Sequence, residues 1–130
     1  MNDRAPTAEG VNAAAARIAP YAVKTPLLES ADLNARLGGR VLLKVETLQH
    51  GGSFKFRGAI NRLLQLTEAE RRAGVVAWSS GNHAQGVARA ARLLGVRATI
   101  VMPKDAPSIK IEQVRNFGGE IILFDRYTED

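Results

Sequence analysis

The chain has 130 residues, 45% of them hydrophobic, a formal charge of +5 and no cysteine. That length suits one globular domain of about 100–200 residues, and the missing cysteines exclude disulfides, thiolate catalysis and cysteine-bound metal. No apolar run approaches the roughly 20 residues of a membrane span, and Met1-Asn2-Asp3-Arg4-Ala5-Pro6 carries no secretory hydrophobic core, so the expectation is a soluble cytoplasmic protein.

In chain order, Thr7 can cap a helix to Ile18, with Val11, Ala14, Ala15 and Ile18 on one face. Pro20 ends it. Thr25-Pro26-Leu27 is extended, because the residue before proline is pushed out of the helical region. Ser30 can cap a second helix through Leu37, stopped by Gly38-Gly39. Arg40 to Glu46 reads as a strand, with Val41, Leu43 and Val45 sharing a face. Thr47 to Gly52 is a loop whose Gly51-Gly52 turns the chain into a helix capped by Ser53 and running to about Leu66. Thr67-Glu68-Ala69-Glu70 matches a capping box for a short helix ending at Gly74.

The pattern then becomes regular. Strands are expected at Val75 to Trp78, Ala98 to Met102 and Glu120 to Phe124, with helices at His83 to Leu94 and Ser108 to Phe117. Short, nearly all-apolar strands alternating with helices predict right-handed crossovers and a parallel sheet covered on both faces. The strand residues and Trp78 are expected in the core, and Lys104-Asp105 in a solvated turn. The chain stops at Asp130 just after a strand, where a further helix is due, and so reads as part of a longer protein.

Two segments can carry chemistry. In Ser53-Phe54-Lys55-Phe56-Arg57-Gly58-Ala59 a lysine sits in the first turn of a helix between two phenyl rings. A lone lysine there is usually a surface residue. Against that, a cation is disfavoured at a helix N-terminus, and apolar neighbours favour the uncharged, nucleophilic amine. The second segment, Ser79-Ser80-Gly81-Asn82-His83, lies between a strand end and a helix start, where ligands bind in open parallel sheets. Its free N–H groups and the helix dipole suit an anion. An ordinary capping turn reads equally well.

Other readings are weaker. His83 has only His50 for company and no carboxylates at ligand spacing, so no metal site is expected. Gly-x-Ser-x-Gly, the P-loop and Gly-x-Gly-x-x-Gly are all absent. Arg57 can pair with an anion or with Glu46; the sequence does not choose. The positive charge invites nucleic acid, but the arginines are dispersed and aromatics make up only 5%, too few for base stacking.

The run Lys44-Val45-Glu46-Thr47-Leu48-Gln49-His50-Gly51-Gly52-Ser53-Phe54-Lys55-Phe56-Arg57-Gly58-Ala59 resembles the cofactor-lysine signature of the serine/threonine dehydratase family. These are pyridoxal-phosphate enzymes of the tryptophan-synthase-β type, which include serine racemase. Thr25-Pro26-Leu27, Ser79-Ser80-Gly81-Asn82-His83-Ala84-Gln85-Gly86 and Val101-Met102-Pro103 match further blocks in the same order, from about Ile18 to Asp130.

The resemblance implies an α/β fold: an open parallel sheet with helices on both faces, in an incomplete two-domain tryptophan-synthase-β-like arrangement. Residues 1–73 would be the N-terminal part of the large domain and 74–130 most of the small one. Lys55 would hold pyridoxal 5'-phosphate as a Schiff base and later remove the substrate's α-proton. Asn82 would bind the cofactor's phenolic oxygen, and Phe54 would lie against its ring. Ser79, Ser80, Asn82 and His83 would bind the substrate carboxylate, and Ser80 would be the acid/base on the opposite face in a racemase. The implied reaction converts L-threonine or L-serine to a 2-oxo acid and ammonia. The implied partners are a small amino-acid substrate and, at full length, further copies of the chain, with no nucleic acid or membrane. The glycine-rich phosphate loop and cation site would lie beyond residue 130, leaving this piece inactive alone. Serine racemase, or a mixed racemase/dehydratase, is the near alternative, and a non-catalytic binding module the distant one.

Overall fold

The structure, a computed structural model, describes residues 5–129. Of the stretch Met1–Pro6 read above for the lack of a signal core, residues 1–4 lie outside the described residues, as does Asp130.

The elements run α1 (Ala8–Ile18), β1 (Leu27–Glu29), α2 (Ala31–Leu37), β2 (Leu42–Lys44), α3 (Lys55–Leu63), α4 (Glu68–Ala73), β3 (Val75–Trp78), α5 (Asn82–Leu94), β4 (Ala98–Pro103), α6 (Ser108–Asn116) and β5 (Glu120–Phe124). The caps follow the local chemistry. The Thr7 hydroxyl accepts from Gly10 N–H, Ser30 from Leu33 N–H, and Thr67 and Glu70 form the full capping box. Gly38 and Gly95 close α2 and α5 in the left-handed conformation.

Three expectations shift. The strand expected over 40–46 shrinks to β2, because Val45 leaves extended geometry and Glu46–Leu48 and His50–Gly52 coil into 3-10 turns. Of the α1 stripe only Ile18 is buried; Val11 is exposed. Ser53 does not cap α3: it is extended, Phe54 holds the cap position, and no side chain bonds the helix start.

β1 and β2 pair antiparallel. β3, β4 and β5 form a separate parallel sheet in that order, with Val75 opposite Ala98 and Thr99 opposite Glu120. The core lies between this sheet and α3. Helix α5 fills the middle, burying Ala84 through Ala88 together with Ala90 and Ala91. It is flanked by Phe56 and Ile60 of α3, Ile100 and Met102 of β4 and Val114 of α6, all fully buried. Small side chains along α5 let α3 and the sheet approach from opposite sides.

The expected α/β parallel sheet is therefore present, and the helices of this chain lie against one of its faces. Val76, Trp78 and Ile122 on the other face are 75%, 73% and 55% exposed. The reason is topological. Two right-handed crossovers stepping the same way lay both helices on one side, and covering the other requires a reversal of strand order. Trp78 and these strand residues, expected in the core, are thus at the surface.

Candidate active site

A polar knot holds the start of α3. The Arg57 guanidinium grips Glu46 with two bonds, Nε to Oε2 at 2.8 Å and Nη2 to Oε1 at 2.7 Å. The Thr25 hydroxyl donates to Glu46 Oε1 at 2.6 Å, and Arg57 Nη2 also donates to the Val23 carbonyl at 3.0 Å. Buried Gln49 spans Val23, accepting from its N–H at 3.0 Å and donating to its C=O at 2.9 Å. Lys44 Nζ donates to the Thr25 carbonyl at 2.6 Å. Arg57 thus pairs with a carboxylate, resolving the open alternative. Its two hydrogen bonds hold the Glu46 carboxyl at about 2, well below the usual carboxylate range. Sequence reasoning missed Thr25, Gln49 and Lys44, because their partners lie 19 to 26 residues away. Only the buried setting of polar Thr25 and Gln49 betrays them, and that setting is not local information.

From this anchor the chain turns through Gly51 and Gly52, with φ of 72° and 69°, a left-handed pair that residues with a Cβ rarely adopt. His50 stacks edge-on against Phe56, with ring centroids 4.9 Å apart. Lys55 follows at the first turn of α3. Its side chain is exposed, with Nζ 5.2 Å from the Phe54 ring centroid. The expected two-ring enclosure does not form within this chain. Phe56 turns into the core while Phe54 stays 60% exposed, since residues two apart on a helix point in different directions. Lys55 Nζ has no hydrogen-bond acceptor and no carboxylate partner among the described residues.

The second segment leaves β3 through Ser79, whose N–H bonds Val101 O at 3.1 Å. Ser79 Oγ then accepts from Gly81 N–H at 3.2 Å, so this serine shapes the turn and does not cap the helix. No side chain caps α5 at Gly81, which leaves the first N–H groups of the helix open to an anion. Ser80, Asn82 and His83 are exposed. The Asn82 Oδ1 accepts from Lys110 Nζ of α6 at 2.6 Å.

What joins the two segments is Gly86. A methyl group there would stand 3.1 Å from the Lys55 carbonyl carbon and the Phe56 nitrogen, so the missing side chain lets the start of α3 rest this closely on α5. Asn82 lies one helical turn, about 6 Å, toward the N-terminus of α5 from that contact. Ser79 and Ser80 open onto a pocket of about 670 Å³ at the carboxyl ends of the parallel strands, lined also by Trp78, Pro103, Phe124 and Arg126. Lys55 and Asn82 do not line it. His83 faces the other way, into a pocket of about 320 Å³ with Gly58, Ala59, Ala77 and Val87. Lys104 and Asp105 are exposed and ion-paired with Glu129 and Arg126. Among the described residues no cluster of three or more His, Asp or Glu is placed to hold a metal.

The backbone at the start of α3 thus rests on α5, whose own start is uncapped at the carboxyl edge of a parallel sheet, in an α/β arrangement. The family model described as pyridoxal-phosphate dependent enzyme matches residues 18–130, and the chain belongs to that family. It is 55% identical over 117 residues to an L-threo-3-hydroxyaspartate ammonia-lyase of Pseudomonas sp, covering 90% of this chain and 37% of that protein. Among solved structures, maize serine racemase superposes with a TM-score of 0.90 at 43% identity, covering 94% of this chain and 37% of that one. A T.th. threonine deaminase superposes with a TM-score of 0.81 at 50% identity, covering 93% and 37%. The chain thus spans just over a third of the length of these relatives.

Proposed function

We propose that this chain is the N-terminal part of a pyridoxal-phosphate-dependent ammonia-lyase that converts L-threonine or L-serine to a 2-oxo acid and ammonia. The observation that carries the reading is the contact of Lys55 with Gly86. It sets the Lys55 backbone a helical turn from the uncapped start of α5. The residues fit a phosphorylated aldehyde: a primary amine without a protein partner among the described residues, and unspent N–H donors at the start of the helix on which its backbone rests. The relatives named above, two of them deaminating and one racemising, support the class. The Pseudomonas relative adds 3-hydroxyaspartate to the β-hydroxy amino acids worth assaying.

When bound, the cofactor supplies an electron sink for the substrate's α-carbon. Lys55 would hold the aldehyde, and its Nζ would be the group that takes the α-proton. Phe54, exposed beside Lys55, offers its face to the cofactor ring. Ser79, Ser80 and Asn82, with the backbone N–H of His83, would hold the carboxylate with the dipole of α5 behind it, while the His83 ring faces the other way. In this reading the region to residue 73 belongs to the larger domain and 74–130 to the smaller, in a cytoplasmic homo-oligomer. The separate antiparallel and parallel sheets support that division.

The test is the full-length protein with cofactor. Borohydride reduction followed by peptide mapping is expected to label Lys55. Lys55→Ala is expected to cut 2-oxo acid release from L-threonine by at least 10²–10⁴-fold, the usual worth of a general base. A label on any other lysine sinks the proposal. Serine racemase is the second reading, favoured by exposed Ser80 at the turn and by the maize likeness. D-serine formed from L-serine faster than 2-oxo acid would establish it.

A further inference from the structure

Lys110 stands behind Asn82 in a way the family reading does not use. Its Nζ donates to Asn82 Oδ1 at 2.6 Å and to Gln85 Oε1 at 3.2 Å. Gln85 is fully buried and in turn donates through Nε2 to Gln113 Oε1. The result is one directed chain of hydrogen bonds between α5 and α6.

The direction matters because an asparagine amide is nearly symmetric in shape. Rotating it by half a turn swaps its donor and acceptor ends at little steric cost. An ammonium has three donors and no acceptor, so only the oxygen of each amide can face it. With Oδ1 held by Lys110, the Asn82 Nδ2–H₂ group faces away and is free to donate. Lys110 is itself held by Gln85, whose orientation is locked by burial and by Gln113. Both polar partners of Lys110 are amides, and no carboxylate neutralises it among the described residues.

We infer that Lys110 is a positioning residue that fixes the Asn82 amide with its Nδ2–H₂ donor toward the cofactor's phenolic oxygen. The inference rests on the reading that Asn82 binds that oxygen. Without Lys110 the amide is free to present its carbonyl, an acceptor, to an oxygen that needs a donor. The ammonium charge, one amide away, also strengthens the Asn82 donor and favours the ionised oxygen.

The experiment uses the full-length holoenzyme, with folding checked by circular dichroism. Lys110→Met is expected to raise the cofactor dissociation constant about tenfold, as for one charge-assisted hydrogen bond. It is also expected to move the pH midpoint of the bound cofactor's visible absorbance upward, because the ionised oxygen loses its donor. Lys110→Arg keeps a donor-only cation and is expected to stay within about twofold of the unaltered protein. Asn82→Ala is expected to match Lys110→Met, with little added by the double variant, since one residue acts through the other. If Lys110→Met does not fold, Lys110→Gln carries the test with an expected weakening of about threefold, its amide offering a donor only part of the time. Unchanged binding and midpoint in the Lys110 variants, with both altered in Asn82→Ala, overturns the inference and leaves the functional reading intact. Full additivity in the double variant overturns it too. If Asn82→Ala itself changes neither quantity, the placement of Asn82 at the cofactor falls, and the inference with it.

Discussion

Residues 23–57 and residues 75–124 are built on opposite plans. In the first stretch the strands are three residues long, and Leu27, Leu28, Leu42 and Leu43 are all exposed. Its order comes from side-chain polar bonds, with Glu46, Arg57, Gln49 and Thr25 tying three separate segments to one point. The second stretch is held by apolar burial, from Ile100 and Met102 in the central strand to Val114 in α6. Lys55 emerges from the first plan and the Ser79–His83 turn from the second. The contact of α3 with α5 is where they meet. The seam therefore depends on two kinds of stability that respond to different insults.

Ile100→Ala should show the largest effect on stability. Ile100 is fully buried in the central strand, and its truncation is expected to cost about 2–5 kcal/mol, the usual range for an interior aliphatic residue. Chemical denaturation at neutral pH measures it. Loss well below that range would mean that the parallel half is not held by its core as described.

Acid should act on the other half. The folded Glu46 carboxyl titrates at about 2 against an ordinary 4.5, so its stabilisation is complete above about 4.5 and disappears as pH falls toward 2. The pair is partly exposed, 30% for Arg57 and 18% for Glu46. Allowing for solvent screening, the contribution is about 2 kcal/mol. Glu46→Gln should remove that much at pH 7 and flatten the loss of stability between pH 4.5 and 2. An unchanged acid profile in this variant would move the acid sensitivity elsewhere.

Gly86→Ala probes the seam, with the smallest cost in stability. Alanine improves the intrinsic propensity of a helix interior by up to about 1 kcal/mol. Against this, the new methyl meets backbone atoms of Lys55 and Phe56 at 3.1 Å, and the Glu46–Arg57 knot resists their retreat. A net loss of about 1 kcal/mol is expected, as for mild overpacking. Cofactor affinity should fall by more than that figure implies, because Lys55 is displaced directly. A stabilised Gly86→Ala protein with unaltered cofactor affinity would show that the two halves do not need this close approach.

The same division explains what was legible beforehand. β3 and β5 lie at the expected residues and α5 within one of them, because a period of two or of 3.6 between glycine stops is local information. The Thr67 capping box and the Ser30 cap were visible for the same reason. The strand over 40–46 and the Ser53 cap failed where polar contacts 19 to 34 residues apart override local preference. Trp78, Val76 and Ile122 look like core in composition, yet lie on the sheet face that these two crossovers leave open.

The order of residues by itself determined the parallel β-α-β-α-β half, the Thr7, Ser30 and Thr67 caps, and the family to which the chain belongs. These depend on neighbours within a few positions, or on motifs read as strings. Only the tertiary structure decided that Arg57 takes Glu46, that Gly86 seats Lys55 against α5, and that Lys110 and Gln85 hold the Asn82 amide. Each of these is an encounter between residues far apart in the chain, selected by burial and hydrogen-bond geometry after the elements have formed.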